Sequence, residues 1–476
     1  MSPLHDSSRK EPDMLPASVL VFLIPLIAGA TTYALRHMHA MRIIVAAAAC
    51  ALVMLLLAQP FDTAVIGIPV DGRLDLLGRA LQVHPQDRLA LLSLFGCAVL
   101  LLVASWRTPE NWTFVPIGMA MLSVLSAALM VRPVQYAGLA FVIAGALGAL
   151  MIQADQTIHR ATQGARRYLI SSVLALPAFL GAGYLAQRAA ATSEADAAAA
   201  AYGPAVVLLL LGVILVIGAL PLFTWIYSTA QDAPPLTTAF LGTIGVGAAS
   251  FLLLTFVREF SWFHDSETMR TTLRAGGIVL LLTVTALGWT QQSLSGILGS
   301  ALLLDLGCVL LETAARTQQG VEAIAFGIMA RALSMGLFSI GAALLRERCN
   351  GDDFAAIRGV GSREPWLALA IGMGGLSMAG LPGTIGFVAG WVNMRALSAE
   401  VEIILIIALA GLSIAIGVLR ALSASFDGVT APTKIEYEQA RGERWTVGIF
   451  IALVLGLGFL PMLLSPLAQA IAAAYR

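Results

Sequence analysis

An all-α polytopic membrane bundle is the fold class that this sequence predicts, and three observations predict it. Hydrophobic residues make up 58% of the 476-residue chain and charged residues 12%, where a soluble chain carries about 25% charged. The apolar residues are gathered into one run after another, each close to the roughly 20 residues that a helix needs to cross the hydrocarbon core. The only lysines are Lys10 and Lys434, and both lie outside the apolar runs.

Taken in order, the runs predict spans at 15–35, 41–58, 87–106, 113–131, 133–154, 166–188, 203–228, 235–258, 275–290, 293–313, 320–345, 364–394, 402–422 and 445–472. That is about fourteen transmembrane helices, so both termini fall on one side. The polar stretch before Leu15 lacks the order of a signal peptide, and the first run reads as a retained span. Basic residues clustered at 160–167, 346–363 and 434–444 favour placing those loops inside and the termini outside, on the periplasmic side. Trp106, Trp112, Trp262, Trp289 and Trp366 sit near span ends, as an aromatic belt would place them.

The long connection between the second and third spans, Pro60 to Gln86, carries Asp71-Gly72 between β-prone segments. That pattern predicts an extramembrane hairpin. Two spans are interrupted. The seventh runs into Pro221, with Pro234 and Pro235 opening the next, and the twelfth contains Gly380-Leu381-Pro382-Gly383. Proline removes a backbone donor. A break at membrane depth persists only where it is buried in protein or faces a water-filled cavity. A lone proline kink for packing is the ordinary alternative. Paired interruptions five spans apart fit a transporter built from two five-helix units.

Several function classes are excluded. The charge balance, 28 basic against 28 acidic residues, gives no footprint for nucleic acid. Cys50, Cys97, Cys308 and Cys349 are far apart and show no CxxC spacing, so neither a metal nor a disulfide is expected. No histidine lies deep in a span, which leaves no bis-histidine haem site. No flavin or nucleotide fingerprint is present. The chain is expected to hold no cofactor and no catalytic centre of its own.

Intramembrane charges are few. Asp305 lies near mid-depth of the tenth span, Glu312 follows seven residues later on the same helix face, and Arg331 lies near the middle of the eleventh. A charge at the bilayer centre costs at least ~2.5–3.5 kcal/mol, so such groups pair or face a cavity. Asp305 and Arg331 are expected to pair between the two spans. The pair is either a remnant proton relay that includes Glu312 or a static bond between helices. A permanently charged Arg carries protons poorly, which favours the static bond.

Two blocks carry a family resemblance. The first is ALPLFTWIYSTAQDAPPLTTAFLGTIGVGAASFLLL from Ala219, with Pro221, Phe223, Trp225, Ala233-Pro234 and Thr238-Ala239-Phe240-Leu241. The second is FAAIRGVGSREPWLALAIGMGGLSMAGLPGTIGFVAGW, with Arg358-Gly359, Pro365, Ser377, Gly380-Leu381-Pro382, Thr384 and Gly386-Phe387. Together they resemble the antiporter-like membrane subunits of respiratory complex I, nearest the N-type subunit of NADH-quinone oxidoreductase. The wider family includes Mrp antiporters, membrane hydrogenase subunits and subunits of inorganic-carbon uptake complexes.

The resemblance implies two inverted five-helix repeats, spans 4–8 and 9–13, with helices 7 and 12 broken. On that division residues 1–112 hold three spans and the hairpin loop, 113–258 the first repeat, 259–422 the second, and 423–476 a loop and the last span. It also implies a bacterial inner membrane, other membrane subunits as partners, and a row of buried lysines and a glutamate along which protons move. A buried Lys suits that task because burial depresses its pKa.

The chain departs from the family at those titrating positions. The family's span-five glutamate falls at Ala140, its span-seven lysine at Val216, its span-eight lysine at Val246 and the basic residue of span twelve at Gly390. The Lys-Arg pair that often opens span ten falls at Ser295-Gly296, a span-ten histidine falls at Asp305, and Arg331 falls about where some relatives place a lysine. Val and Ala carry no proton. The expected function is therefore an antiporter-like subunit of a proton-translocating, complex I-like assembly whose own proton path is degenerate. The alternatives are a non-transporting structural subunit of such a complex, or a transport module for inorganic carbon or cations.

Overall fold

The structure, a computed structural model, describes residues 16–59, 74–76, 78–153, 162–191, 195–218, 223–428 and 437–475. Pro221, Asp71, Gly72, Lys10 and Lys434 lie outside the described residues.

Helices occupy every stretch that the sequence marks as a span. The first half holds α1 (Ala17–Ala34), α2 (His39–Ala58), α3 (Pro85–Ala104), α4 (Phe114–Met130), α5 (Ala137–Gln153), α6 (Thr162–Ala190), α7 (Ala195–Ile217), α8 (Thr224–Asp232) and α9 (Pro235–Glu259). The second half holds α10 (Glu267–Leu287), α11 (Leu294–Ala315), α12 (Gln318–Cys349), α13 (Pro365–Met378), α14 (Ile385–Ala396), α15 (Val401–Phe426), α16 (Tyr437–Phe459) and α17 (Ser465–Ala474). Among the described residues, eleven helices are long and apolar enough to cross a membrane, and Phe114–Met130, Tyr202–Ile217 and Pro365–Met378 are shorter apolar helices.

Local chemistry sets many of the ends. The Ser266, Ser293 and Thr317 side chains accept from Met269 N, Gly296 N and Gly320 N at the starts of α10, α11 and α12, which satisfies a backbone donor that the helix leaves free. His84 and Asp87 form a reciprocal cap at α3, with Pro85 at the first helical position. α11 and α12 end on left-handed residues, Arg316 (φ 55°) and Asn350 (φ 51°).

α9, α11 and α12 form the centre of the bundle. They are apolar on nearly every side and buried along almost their whole length, as a helix without a polar face must be. The outer helices, α2, α6, α10 and α15, bury one face and present leucine, isoleucine and valine outward. Without water between helices, close packing holds them, and small residues permit it. At Gly374 an added Cβ would lie 2.5 Å from the Phe338 backbone nitrogen, so α12 and α13 meet there almost backbone to backbone.

Both interruptions are present. α7 ends at Gly218 (φ 81°) and α8 resumes at Thr224. α13 ends at Met378 and α14 begins at Ile385, with Gly380 and Gly383 both at φ 87° on either side of Pro382. Pro234, in extended conformation, separates α8 from α9.

Three features add to the expected bundle: the hairpin expected between the second and third spans gains a third strand, the last span divides in two, and one central helix carries a π turn. A small antiparallel sheet is present, in the order β1 (Leu74–Leu76), β2 (Arg79–Leu81), β3 (Val131–Arg132). Leu74 pairs with Leu81 around Gly78 (φ 73°), so this hairpin turns at Gly78, and Leu81 pairs with Val131. Arg132 then reaches Asp87 of α3 (2.7 Å) and Glu259 of α9 (3.0 Å). The last predicted span, 445–472, is two helices: α16 stops before Pro461, which has no N–H to continue it, and α17 restarts at Ser465-Pro466 and packs on α3 and α12. Inside α9, residues Leu241–Gly245 form a π turn.

Candidate functional site

The buried charges meet where α9, α11, α12 and the broken pair α13/α14 converge. Arg331 projects from the middle of α12 with its side chain 1% exposed. Its Nε donates to Asp305 Oδ2 of α11 at 2.8 Å. Its Nη1 donates to the Gly242 carbonyl of α9 at 3.0 Å. That carbonyl belongs to the π turn, where the widened helix leaves backbone groups open to outside partners. One guanidinium thus joins three helices. Five donors in a planar fork suit Arg, and not Lys, to this task.

Asp305 faces a cavity of about 150 Å³ that Arg331, Ser334, Ser377, Gly390 and Asn393 also line. The break between α13 and α14 forms one wall. There Ser377 Oγ lies 2.8 Å from Ser334 Oγ and accepts from Gly386 N at 3.3 Å. The hydroxyl stands in for the helical acceptor that the interrupted backbone no longer supplies. Gly386 packs directly against the Ser377 carbonyl, with no room for a Cβ.

Glu312 lies two turns beyond Asp305 and is buried. It does not share the Asp305 cavity. It lines a second pocket of about 530 Å³ at the far end of α11. Asn393 of α14 bridges the two: it lines the Asp305 cavity and, with its amide turned to donate, its nitrogen lies 3.0 Å from Glu312 Oε1. No salt bridge holds Glu312 among the described residues.

The four positions to which the resemblance assigns titrating groups carry apolar residues. Ala140 and Val216 are half-buried in α5 and α7. Val246 is buried and directly follows the π turn. Gly390 lines the cavity and contributes no side chain. Pro382 is exposed at the break. Sequence reasoning did not reach Gly242, whose role lies in its carbonyl, nor Ser334 or Asn393. A polar residue within an otherwise apolar helix, as at Asn393, was the available signal.

The comparisons agree with this architecture. Residues 198–417 match the family model described as NADH:quinone oxidoreductase/Mrp antiporter, TM. The chain is 30% identical over 321 residues to NADH-quinone oxidoreductase subunit N 1 of Solidesulfovibrio magneticus, covering 64% of this chain and 67% of that protein. Two solved structures share the fold. One is a chain of an archaeal membrane-bound sulfane sulfur reductase (TM-score 0.79, 16% identity, 96% of this chain and 97% of that one). The other is a chain of respiratory complex I from Thermus thermophilus (TM-score 0.74, 20% identity, 96% of this chain and 100% of that one). With these matches over its helical core, the chain belongs to the NADH:quinone oxidoreductase/Mrp antiporter membrane family, as an antiporter-like integral membrane subunit.

Proposed function

We propose that this subunit works within a multi-subunit, proton-translocating assembly of the complex I type in a bacterial inner membrane, with its termini periplasmic and any redox chemistry in its partners. Residues 113–258 and 259–422 act as the two inverted repeats, which the breaks at α7/α8 and α13/α14, one in each segment, support. The first repeat moves no proton, because Ala140, Val216 and Val246 are not ionisable. Asp305 and Arg331 serve as a fixed tie. The observation that carries this is the double engagement of Arg331, by Asp305 on one side and the Gly242 carbonyl on the other. A guanidinium held twice, and always charged, is suited to fix helices and not to shuttle protons.

A second reading has one observation in its favour. Asn393 lies within hydrogen-bonding distance of Glu312 and also lines the cavity that Asp305 faces, a placement that a relay confined to the second repeat would need. Purification from native membranes in mild detergent, with mass spectrometry of what accompanies the protein, tests the assembly. Redox subunits in fixed ratio are expected; a lone protein or only a soluble zinc enzyme would move the function to solute uptake. Asp305→Asn then separates the readings. A tie loses assembled complex while the remainder pumps normally, whereas normal assembly with lost pumping identifies a relay.

A further inference from the structure

The 530 Å³ pocket at the far end of α11 has a composition that the proton path does not require. Three basic side chains line it: Arg258 from the last turn of α9, His264 from the following short turn, and Arg316 from the end of α11. Arg258 is exposed. Arg316 uses Nη2 on the Ser266 carbonyl (2.7 Å), while its Nε has no acceptor among the described residues. The rest of the wall is mixed: Leu254, Val257 and Val321 give it an apolar part, beside the polar Thr317 and Gln318. The one acidic side chain in the lining, Glu312, is buried at the inner end and turned toward Asn393. Of the neighbouring acids, Glu259 is paired with Arg132 and Glu267 with Arg270.

Depth is set independently. Trp262 lies between Arg258 and His264 in sequence and stacks on Tyr202 (5.4 Å) and Phe260 (5.1 Å). Clustered Tyr and Trp at the ends of apolar helices mark the headgroup level of a bilayer. A basic pocket at that level, with an apolar flank, matches a phosphate carried on acyl chains.

We propose that this pocket binds the phosphate of an anionic phospholipid, with Arg258 and Arg316 as its ligands and His264 as a third donor. Arg presents paired donors to phosphate oxygens and forms charge-assisted bonds with them. The apolar flank receives the glycerol and the first methylenes of the chains.

The test uses the full chain with whatever subunits co-purify. It is titrated with dioleoyl-phosphatidylglycerol or dioleoyl-phosphatidylcholine, and bound lipid is read by native mass spectrometry. The wild type is expected to retain the anionic lipid in preference, Arg258→Gln to weaken its binding roughly tenfold, and Arg258→Lys to keep most of it, as loss of one charged hydrogen bond implies. His264→Ala, which leaves both arginines in place, is expected to lose less. Sodium phosphate is the competing probe. Full displacement of phosphatidylglycerol by millimolar phosphate, with the same dependence on Arg258, would assign the site to the free anion and overturn the lipid proposal. Equal retention of the two lipids, or a preference unchanged in both Arg258→Gln and His264→Ala, overturns the proposal.

Discussion

Arg331 Nε lies 2.8 Å from Asp305 Oδ2, and this contact ties α12 to α11 at the broken-helix cavity. Removing one partner of such a pair leaves the other charge without compensation, at a cost of about 3–5 kcal/mol. Replacing both with well-packed neutral residues often costs little. Arg331→Met should therefore sharply lower the thermal stability of the detergent-solubilised protein, and Arg331→Met with Asp305→Asn should recover most of it. If the double variant is as unstable as the sum of the single ones, the pair is not coupled.

The break between α13 and α14 depends on two glycines in opposite ways. A methyl group on Gly386 would run into the Ser377 carbonyl, whereas nothing lies within 4 Å of one on Gly390. Gly386→Ala should reduce the folded protein recovered from membranes, and Gly390→Ala should leave it unchanged, although Gly390 also lines the cavity. Equal tolerance of both, by size-exclusion profile and melting temperature, would show that α14 shifts freely relative to α13.

Ser377 makes a smaller contribution. Its hydroxyl meets Ser334 and accepts from Gly386 N, and a hydrogen bond of this kind is worth about 0.5–1.5 kcal/mol. Ser377→Ala should lower stability by that amount, with faster hydrogen exchange at the start of α14 and no change in α3. Uniform exchange along the chain would remove the hydroxyl from its proposed place as a local acceptor.

Arg132 fixes the small sheet by joining Asp87, whose side chain is fully buried, to Glu259. Arg132→Met should leave Asp87 without its cation and loosen β1 to β3 together with the first turn of α3. Hydrogen exchange should rise there and remain at wild-type values in α13 and α14. No local change at the sheet would mean that strand pairing and the α3 cap suffice.

Placing a charge at Val246 is expected to harm the protein. Val246 is buried, with apolar surroundings just beyond the π turn. A lysine there lacks an anionic partner, and a charge at that depth costs ~2.5–3.5 kcal/mol or more. Val246→Lys should lower the amount of protein in the membrane, measured by quantitative blotting. Wild-type levels would imply water at that position and reopen a path through residues 113–258.

The sequence by itself determined the class, the succession of apolar helices, an interruption of the seventh span expected at Pro221 and of the twelfth at Gly380 to Gly383, and the absence of lysine between Lys10 and Lys434. These follow from composition and local chain chemistry: a bilayer demands long apolar helices, and Gly and Pro interrupt them wherever they stand. Even Asp305 and Arg331 were legible as a pair, since two opposite charges at similar depth have few other partners. The end of the last span was less legible, because a Pro near a helix end kinks or stops the helix according to what lies beyond it. Here α3 and α12 offer α17 a surface to pack on. Only the tertiary structure decided that Gly242 gives its carbonyl to Arg331, that Asn393 lines the Asp305 cavity and reaches Glu312, and that Arg258, His264 and Arg316 share one pocket. A carbonyl is present at every residue, and convergence of side chains from α9, α11 and α14 depends on how those helices cross. Helical periodicity places a residue on a face of its own helix; packing decides which other face it meets.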